Sequence, residues 1–217
     1  MVEAEALRVI VFTKAPIAGQ VKTRLCPPLS WDDAAELHRR MLRHTLNTAS
    51  RANLGSVELH CAPDTNHDFF ADCSRDFGIR LKAQVAGDLG VKMQTALNDA
   101  RRAILIGSDC PSITTEYLRK AASALMKNNS IVFGPAEDGG YGLIGLSGAT
   151  PDIFAGIPWG SSTVMKSTRN ILSVNGLAWR ELEPIWDVDR PADLKRLARD
   201  TALNYLLNDL TLAPVMG

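Results

Sequence analysis

Asp109 is the residue whose type and placement most clearly suggest metal chemistry. It follows the short apolar run 103–107, the pattern of a buried central strand, and Pro111 stiffens the turn behind it. A carboxylate placed there suits Mg²⁺ or Mn²⁺, hard cations that prefer oxygen ligands and bridge to phosphate oxygens. The alternative is a cap on the next helix, but Thr114 and Thr115 can already supply that cap. We therefore interpret Asp109 as a metal ligand.

A basic loop, residues 14–29, follows the first predicted strand. A glycine that permits a tight turn, a threonine and three cations make this loop a candidate nucleotide site: Lys14, Gly19, Lys22, Thr23 and Arg24. Such cations can surround a di- or triphosphate, and an arginine offers paired donors to phosphate oxygens. The spacing fits neither a P-loop nor a dinucleotide-binding glycine motif. The alternative is an ordinary solvated basic loop.

Two further carboxylates, Asp187 and Asp189, lie about eighty residues after Asp109. Either can supply a second metal ligand, while the other can cap the helix that begins at Pro191. The spacing favours Asp187 as the ligand and Asp189 as the cap.

The segment 135–142 carries acidic and glycine residues between two predicted strands. A hairpin turn is the plainer explanation, because Asp-Gly-Gly is good turn chemistry. These strands could also hold Asp138 and Tyr141 toward an acceptor, with Asp138 as a base, and Gly139 and Gly140 permit close approach of a ligand.

Two weaker candidates complete the set. Gln84, Gly87 and Asp88 could contact a base or ribose, or simply turn the chain. Trp159 and Ser161 precede a predicted helix, whose N-terminus favours anions and could help bind an acceptor. The four histidines lack metal spacing, and ordinary surface or core roles suit His38 and His44 better.

Alternating strand and helix patterns must position these residues, which indicates an α/β sheet. The predicted strands are 8–13, 56–62, 79–84, 103–107, 131–134 and 141–146. The predicted helices are 31–50, capped by Ser30, then 68–76, 91–101, one ending near Asn128, one capped by Ser161 or Ser162 and ending near Val174, and one starting at Pro191. No linker interrupts residues 1–217, so we predict one domain. Ligands bind at the carboxyl ends of strands in such sheets, where these candidates lie.

Composition narrows the class of protein. The formal net charge is zero, from 24 basic and 24 acidic residues, which argues against nucleic-acid binding through overall charge. No uncharged apolar run approaches the roughly 20 residues of a membrane span, and residues 1–8 do not look like a signal peptide. Four cysteines without Cys-x-x-Cys spacing suggest a reducing compartment, so we expect a cytoplasmic protein without nucleic-acid or membrane partners.

Taken together, six ordered segments resemble a known family. They are KAPIAGQVKTRL, QVAGDLG, IGSDCPS, GPAEDGGYGLIGL, IPWGSSTV and WDVDRPADL. They resemble the glycosyltransferase-like family found beside arsenosugar-biosynthesis and selenium-associated genes, and the match runs from about Arg8 to Leu197. The resemblance implies the GT-A nucleotide-diphospho-sugar transferase fold, with a Rossmann-like, mostly parallel sheet flanked by helices. The family is also similar to molybdenum-cofactor and phospholactate guanylyltransferases.

The resemblance implies nucleotide phosphate at Lys14, Lys22 and Arg24 and a metal at Asp109, in place of the superfamily's Asp-x-Asp pair. Position 107 is Gly and position 111 is Pro, so the second ligand must come from elsewhere. Three hypotheses follow. A sugar is transferred from a nucleotide sugar to a small-molecule acceptor, a nucleotide is transferred from an NTP with release of pyrophosphate, or the protein binds nucleotide without catalysis. The oligomeric state is not indicated.

Overall fold

A seven-stranded mixed sheet forms the centre of the computed structural model, which describes residues 7–126, 130–149 and 151–211. The strands are β1 (Leu7–Lys14), β2 (Gly55–Ala62), β3 (Arg80–Ala83), β4 (Arg102–Gly107), β5 (Ile131–Pro135), β6 (Tyr141–Ser147) and β7 (Arg180–Glu181). Their order is β3-β2-β1-β4-β6-β5-β7, and β6 runs antiparallel to both neighbours. The predicted mostly parallel α/β sheet is confirmed.

Within the described residues, six helices flank the sheet: α1 (Trp31–Ala52), α2 (Asp68–Phe77), α3 (Leu89–Asn98), α4 (Thr115–Met126), α5 (Val164–Val174) and α6 (Pro191–Arg199). Short 3₁₀ helices occur at Thr23–Leu25 and Asn204–Leu207. The predicted extension of α4 to Asn128, and the interpretation of residues 1–6, lie outside the described residues. No helix in the described ranges has the length and hydrophobicity needed to cross a membrane.

Local capping chemistry explains most helix starts. The Ser30 hydroxyl accepts the Asp33 amide at 3.0 Å, which confirms the predicted cap of α1. The Thr114 hydroxyl does the same for the Tyr117 amide at 3.1 Å. The predicted range 91–101 for α3 was wrong at both ends: Asp88 accepts the Val91 amide at 2.9 Å, so the helix begins at Leu89 and ends at Asn98.

Three buried clusters hold these layers together. One lies between the sheet and α1, α2 and α4, and a second lies between the sheet and α3 and α5. The third packs α1 and α6 beneath the basic loop, with Leu25, Leu37, Val188 and Leu197 among its buried members. This third cluster fixes the basic loop and the segment around Val188 against the same helix, at one edge of the sheet.

Candidate functional site

The candidate site centres on contact between Lys22 and Asp109. Lys22 adopts a left-handed backbone conformation (φ 51°) in the middle of the basic loop. Its ammonium donates to Asp109 Oδ1 at 2.5 Å and to the Val188 carbonyl at 2.6 Å. The Lys22 side chain is 5% exposed, whereas that of Asp109 is 55% exposed although protein atoms crowd around it. A buried cation therefore faces a carboxylate that solvent can still reach.

Strand pairing and backbone hydrogen bonds place Asp109 there. β4 pairs with β1 up to Gly107, and the Ser108 amide continues this pairing by donating to the Phe12 carbonyl at 3.2 Å. The Val188 amide then donates to the Asp109 carbonyl at 2.9 Å. The loop after β4 and the segment before α6 are thus joined although about eighty residues separate them.

The charges around Asp109 favour its ionised form. Burial alone would raise its pKa, but Lys22, His38 and Lys14 outweigh that effect, so the pKa of Asp109 is lowered. The carboxylate is therefore charged at neutral pH and available to a cation.

Asp187 lies near enough to Asp138 and to Lys22 to interact electrostatically with both. Burial, followed by the negative charge of Asp138, raises the pKa of Asp187 to about 6. The carboxylate of Asp138 is exposed on the β5–β6 hairpin and accepts the Gly140 amide at 2.8 Å. Two carboxylates held together in this way repel each other unless a cation lies between or beside them.

Asp189 occupies a different position from the one predicted. Its carboxylate accepts from Arg24 Nη1 at 2.7 Å. The expectation that it caps α6 was wrong: Asp193 accepts the amides of Asp189 and Arg190, at 3.0 and 2.7 Å. Asp193 lies in the first turn and reaches back to these amides, whereas Asp189 lies too early in the chain.

The other predicted nucleotide-binding residues of the basic loop, Lys14, Gly19, Thr23 and Arg24, are exposed, and Gly19 takes a positive φ of 78° that a tight turn requires. Of the five, Lys22 contacts Asp109, Lys14 lies near enough to help lower its pKa, and Arg24 contacts Asp189. Nucleotide binding by these residues stays a prediction.

Gln84 and Asp88 have structural partners. The Gln84 amide donates to the Thr13 and His60 carbonyls at 3.0 and 2.9 Å, tying the ends of β1 and β2 together. Asp88 caps α3, and Gly87 between them has a positive φ of 125°. These bonds explain the residue types without a ligand, and contact with a base or ribose stays a prediction.

The predicted acceptor residues form one packed region. The predicted hairpin is confirmed, since β5 and β6 pair across residues 136–140. A side chain at Gly139 would meet the Ser162 carbonyl oxygen at 2.0 Å, so the hairpin packs directly on the loop that contains Ser161. Tyr141 contacts Trp159 edge-on, with ring centroids 6.3 Å apart. Gly140 is the last residue of the hairpin turn before β6.

A buried polar network that no sequence pattern indicated lies behind the basic loop. His38 Nε2 lies 3.0 Å from the Lys14 carbonyl and 3.2 Å from Thr13 Oγ1, and Ser108 Oγ lies 3.4 Å from the same hydroxyl. Burial lowers the pKa of His38. Because its Nε2 faces a carbonyl oxygen, the neutral ring carries its proton there. His38 has the predicted core role, and it also supports the start of the basic loop.

The donor set available to a cation is small. Across residues 7–126, 130–149 and 151–211, no three His, Cys, Asp or Glu side chains cluster as a closed metal site requires. Asp109 and Asp187 can supply two oxygens, and Arg24 engages Asp189. This is the ligand count typical of Mg²⁺ sites completed by water and substrate phosphate.

Comparison with known families gives a match over residues 45–161 to the model described as "Uncharacterized protein conserved in bacteria (DUF2064)". The matched range includes the Asp109 loop and the Asp138 hairpin, and it excludes the basic loop and Asp187. No curated protein matches the chain.

Solved structures confirm the predicted nucleotide-diphospho-sugar transferase type of fold. A protein from Desulfovibrio desulfuricans G20, provisionally assigned as a nucleotide-diphospho-sugar transferase, is 28% identical with a TM-score of 0.82 and 94% of each chain covered. A nucleotidyl transferase from Methanothermobacter thermautotroptrophicus is 13% identical, with a TM-score of 0.59 and 93% of this chain and 98% of that chain covered. A 4-diphosphocytidyl-2C-methyl-D-erythritol synthase from Anaerococcus prevotii DSM 20548 is 12% identical, with a TM-score of 0.55. The match covers 86% of this chain and 93% of that chain.

Proposed function

The chain belongs to the DUF2064 family of bacterial proteins, and from this premise we propose that it is a metal-dependent transferase acting on a nucleotide-activated substrate. The observation that carries the proposal is the contact of Lys22 with Asp109 at 2.5 Å, at the carboxyl ends of β1 and β4. A cation suited to phosphate and a carboxylate suited to a metal thus lie together where solvent reaches them, and this supports the proposal because open α/β sheets bind ligands there.

The three cations of the basic loop would bind the substrate phosphates. Lys14 and Arg24 are exposed, and Lys22 can turn its ammonium from Asp109 to a phosphate oxygen once another cation neutralises that carboxylate. Neutralising a departing phosphate group is the main electrostatic task in either transfer reaction. Arg24 suits this role because its guanidinium can bind two phosphate oxygens at once.

We propose Asp109 and Asp187 as the residues that hold Mg²⁺ or Mn²⁺. The raised pKa of Asp187 beside Asp138 supports this choice over Asp189, which Arg24 already neutralises. Bound there, the cation would supply Lewis-acid stabilisation of the developing phosphate charge.

We favour glycosyl transfer from a nucleotide-diphospho-sugar. The Desulfovibrio similarity and the motif resemblance to the arsenosugar- and selenium-associated family support it. In this reaction the bond from the anomeric carbon to the diphosphate breaks, and that carbon bonds to an acceptor hydroxyl oxygen. Asp138, exposed on the hairpin, would take the acceptor proton. Trp159, Tyr141 and Ser161 would bind the acceptor nearby.

Nucleotidyl transfer is the second candidate. The similarity to a nucleotidyl transferase over 93% of this chain supports it, as does a loop whose cations suit a triphosphate. Here the acceptor oxygen bonds to the α-phosphorus and pyrophosphate leaves.

Product analysis separates these reactions. The purified protein is incubated with Mg²⁺ or Mn²⁺, small acceptors, and either NTPs or nucleotide sugars. Free nucleoside diphosphate indicates glycosyl transfer, and pyrophosphate indicates nucleotidyl transfer. Nucleotide binding that survives Asp109→Ala, with neither product formed by the unsubstituted protein, would instead indicate a non-catalytic nucleotide-binding protein and would overturn the proposed function.

A further inference from the structure

An arginine on α6 forms an ion pair with the hairpin that carries Asp138. Arg196 Nη1 and Nη2 donate to the two carboxylate oxygens of Glu137 at 2.6 and 3.0 Å, which is a bidentate pair. Glu137 is the residue before Asp138. Both partners are about half exposed, so the pair itself adds little to stability.

The same guanidinium also contacts the segment that carries Asp187. Arg196 lies over the Trp186 ring, 4.5 Å from its centroid. Trp186 is fixed in turn by Ser112, whose hydroxyl donates to the Trp186 carbonyl at 2.8 Å and accepts its amide at 3.1 Å. Ser112 lies three residues after Asp109. Arg196 therefore joins the Asp138 and Asp187 segments, and Ser112 joins the Asp187 segment to that of Asp109.

The hairpin and the segment before α6 each carry a carboxylate of the proposed site, Asp138 and Asp187, so the relative position of the two segments matters. Backbone bonds hold the two segments only up to the base of the hairpin: Ile185 donates to the Pro135 carbonyl at 2.9 Å, and Glu137 donates to the Ile185 carbonyl at 3.0 Å. Beyond those bonds, Arg196 is positioned to stop the hairpin and the Asp187 segment from separating.

We propose that Arg196 is a positioning residue. By contacting both Glu137 and Trp186, it sets the separation of Asp138 and Asp187. The proposal rests on the proposed function, in which both aspartates act. Arg196 touches neither the substrate nor the reacting atoms, and it acts through its two neighbours. Misplacement by about 1 Å of a reacting group lowers rates on the order of 100-fold, so a small loosening has a large effect.

The chain offers a matched control on another part of its surface. Arg169 donates to both oxygens of Glu181, at 2.8 and 2.6 Å, and Trp179 donates to the same carboxylate at 2.9 Å. This pair has the same chemistry, but it joins α5 to β7 away from the aspartates. Arg196→Met and Arg169→Met remove the same kind of surface ion pair.

The test compares Arg196→Met, Arg196→Lys and Arg169→Met with the unsubstituted protein. We expect kcat to fall about 10- to 100-fold in Arg196→Met and somewhat less in Arg196→Lys, which keeps the charge but not the paired donors. The KM for the nucleotide should change less than about twofold, because the basic loop is untouched. Arg169→Met should retain full kcat.

A second readout is independent of turnover. Mn²⁺ titration followed by electron paramagnetic resonance should show weaker Mn²⁺ binding in both Arg196 variants than in Arg169→Met, because Asp187 is no longer held in place. Equal kcat and equal Mn²⁺ affinity in Arg196→Met and Arg169→Met would overturn the positioning role. If the unsubstituted protein forms no product, the proposed function fails, and the Mn²⁺ titration still decides whether Arg196 positions the carboxylates.

Discussion

Two carboxylates, Glu58 and Asp109, belong to charged clusters on the same sheet but have opposite surroundings. The Glu58 side chain is inaccessible to solvent and is surrounded by Arg80 at 2.7 Å, Lys82 at 3.3 Å and Arg8 at 3.5 Å. Asp109 has one close cationic partner, Lys22, and 55% of its side chain is exposed.

The difference shows how a structural cluster can be distinguished from a functional one. Burial would raise the pKa of Glu58, but His60, Arg8 and Lys82 outweigh it and the pKa is lowered. Glu58 lies within β2, and its neighbours already supply the charge that a ligand would bring. Asp109 lies beyond the end of β4, and the acidic residues near it, Asp138 and Asp187, repel each other. An incompletely neutralised, open cluster can accept a cation and a phosphate, whereas a saturated one cannot.

The largest expected effect is the loss of activity on replacing Asp109. Asp109→Asn should lower kcat by at least about 1,000-fold, equivalent to about 4 kcal/mol, because it removes the charge that we propose binds the metal. Stability should fall by about 1–2 kcal/mol, because Lys22, whose side chain is 5% exposed, loses its counter-charge but keeps the asparagine oxygen and the Val188 carbonyl as acceptors. Product formation and thermal unfolding monitored by circular dichroism measure the two effects. A variant with full activity would show that Asp109 is not the metal ligand.

The sequence was sufficient to predict that the basic loop and Asp109 come together. Both follow buried strands, and the carboxyl ends of parallel strands meet at one edge of the sheet. Which of Asp187 and Asp189 would bind the metal is harder to predict. The answer depends on the contact of Arg24 with Asp189, a pair separated by 165 residues.

Other features leave little local signal. Strand β7 spans two residues, Arg180–Glu181, too short for a recognisable pattern. Arg196 looks like any surface arginine on a helix until the fold brings Glu137 and Trp186 to it. Glu58 alternates with buried residues in β2, but its complete burial depends on cations from two neighbouring strands.

Replacing Glu58 should lower stability and leave activity intact, whereas replacing Asp109 should chiefly lower activity. Glu58→Gln should lower the free energy of unfolding by about 2 kcal/mol, because it removes the fully buried charge that Arg8, Arg80 and Lys82 surround and leaves an amide group facing those cations. The folded pKa of Glu58 lies below its unfolded value of about 4.3, so its contribution is present above that pH and is lost as the pH falls through the folded pKa.

Urea unfolding at several pH values measures this difference. The difference in free energy of unfolding between the unsubstituted protein and Glu58→Gln should become smaller in acid. Activity per folded molecule should be retained in the variant. A large loss of kcat without a loss of stability would place Glu58 in the functional class and remove the distinction between the two clusters.

A smaller effect should come from Asp187, whose partly buried carboxylate destabilises the fold when it is charged. Its folded pKa is raised to about 6, above an unfolded value of about 3.9, because burial and Asp138 disfavour the charged form. The resulting penalty is fully present above pH 6 and disappears below about pH 4, where both states are protonated. Asp187→Asn should therefore stabilise the metal-free protein by roughly 1–2 kcal/mol at pH 8, after allowance for solvent screening, and by much less at pH 4.5, while lowering metal-dependent activity. Asp189→Asn serves as the control, and it should give no such gain because it loses the Arg24 pair. Urea unfolding in EDTA at the two pH values measures the effect, and an equal gain at both would mean that Asp187 is not the strained member of the site.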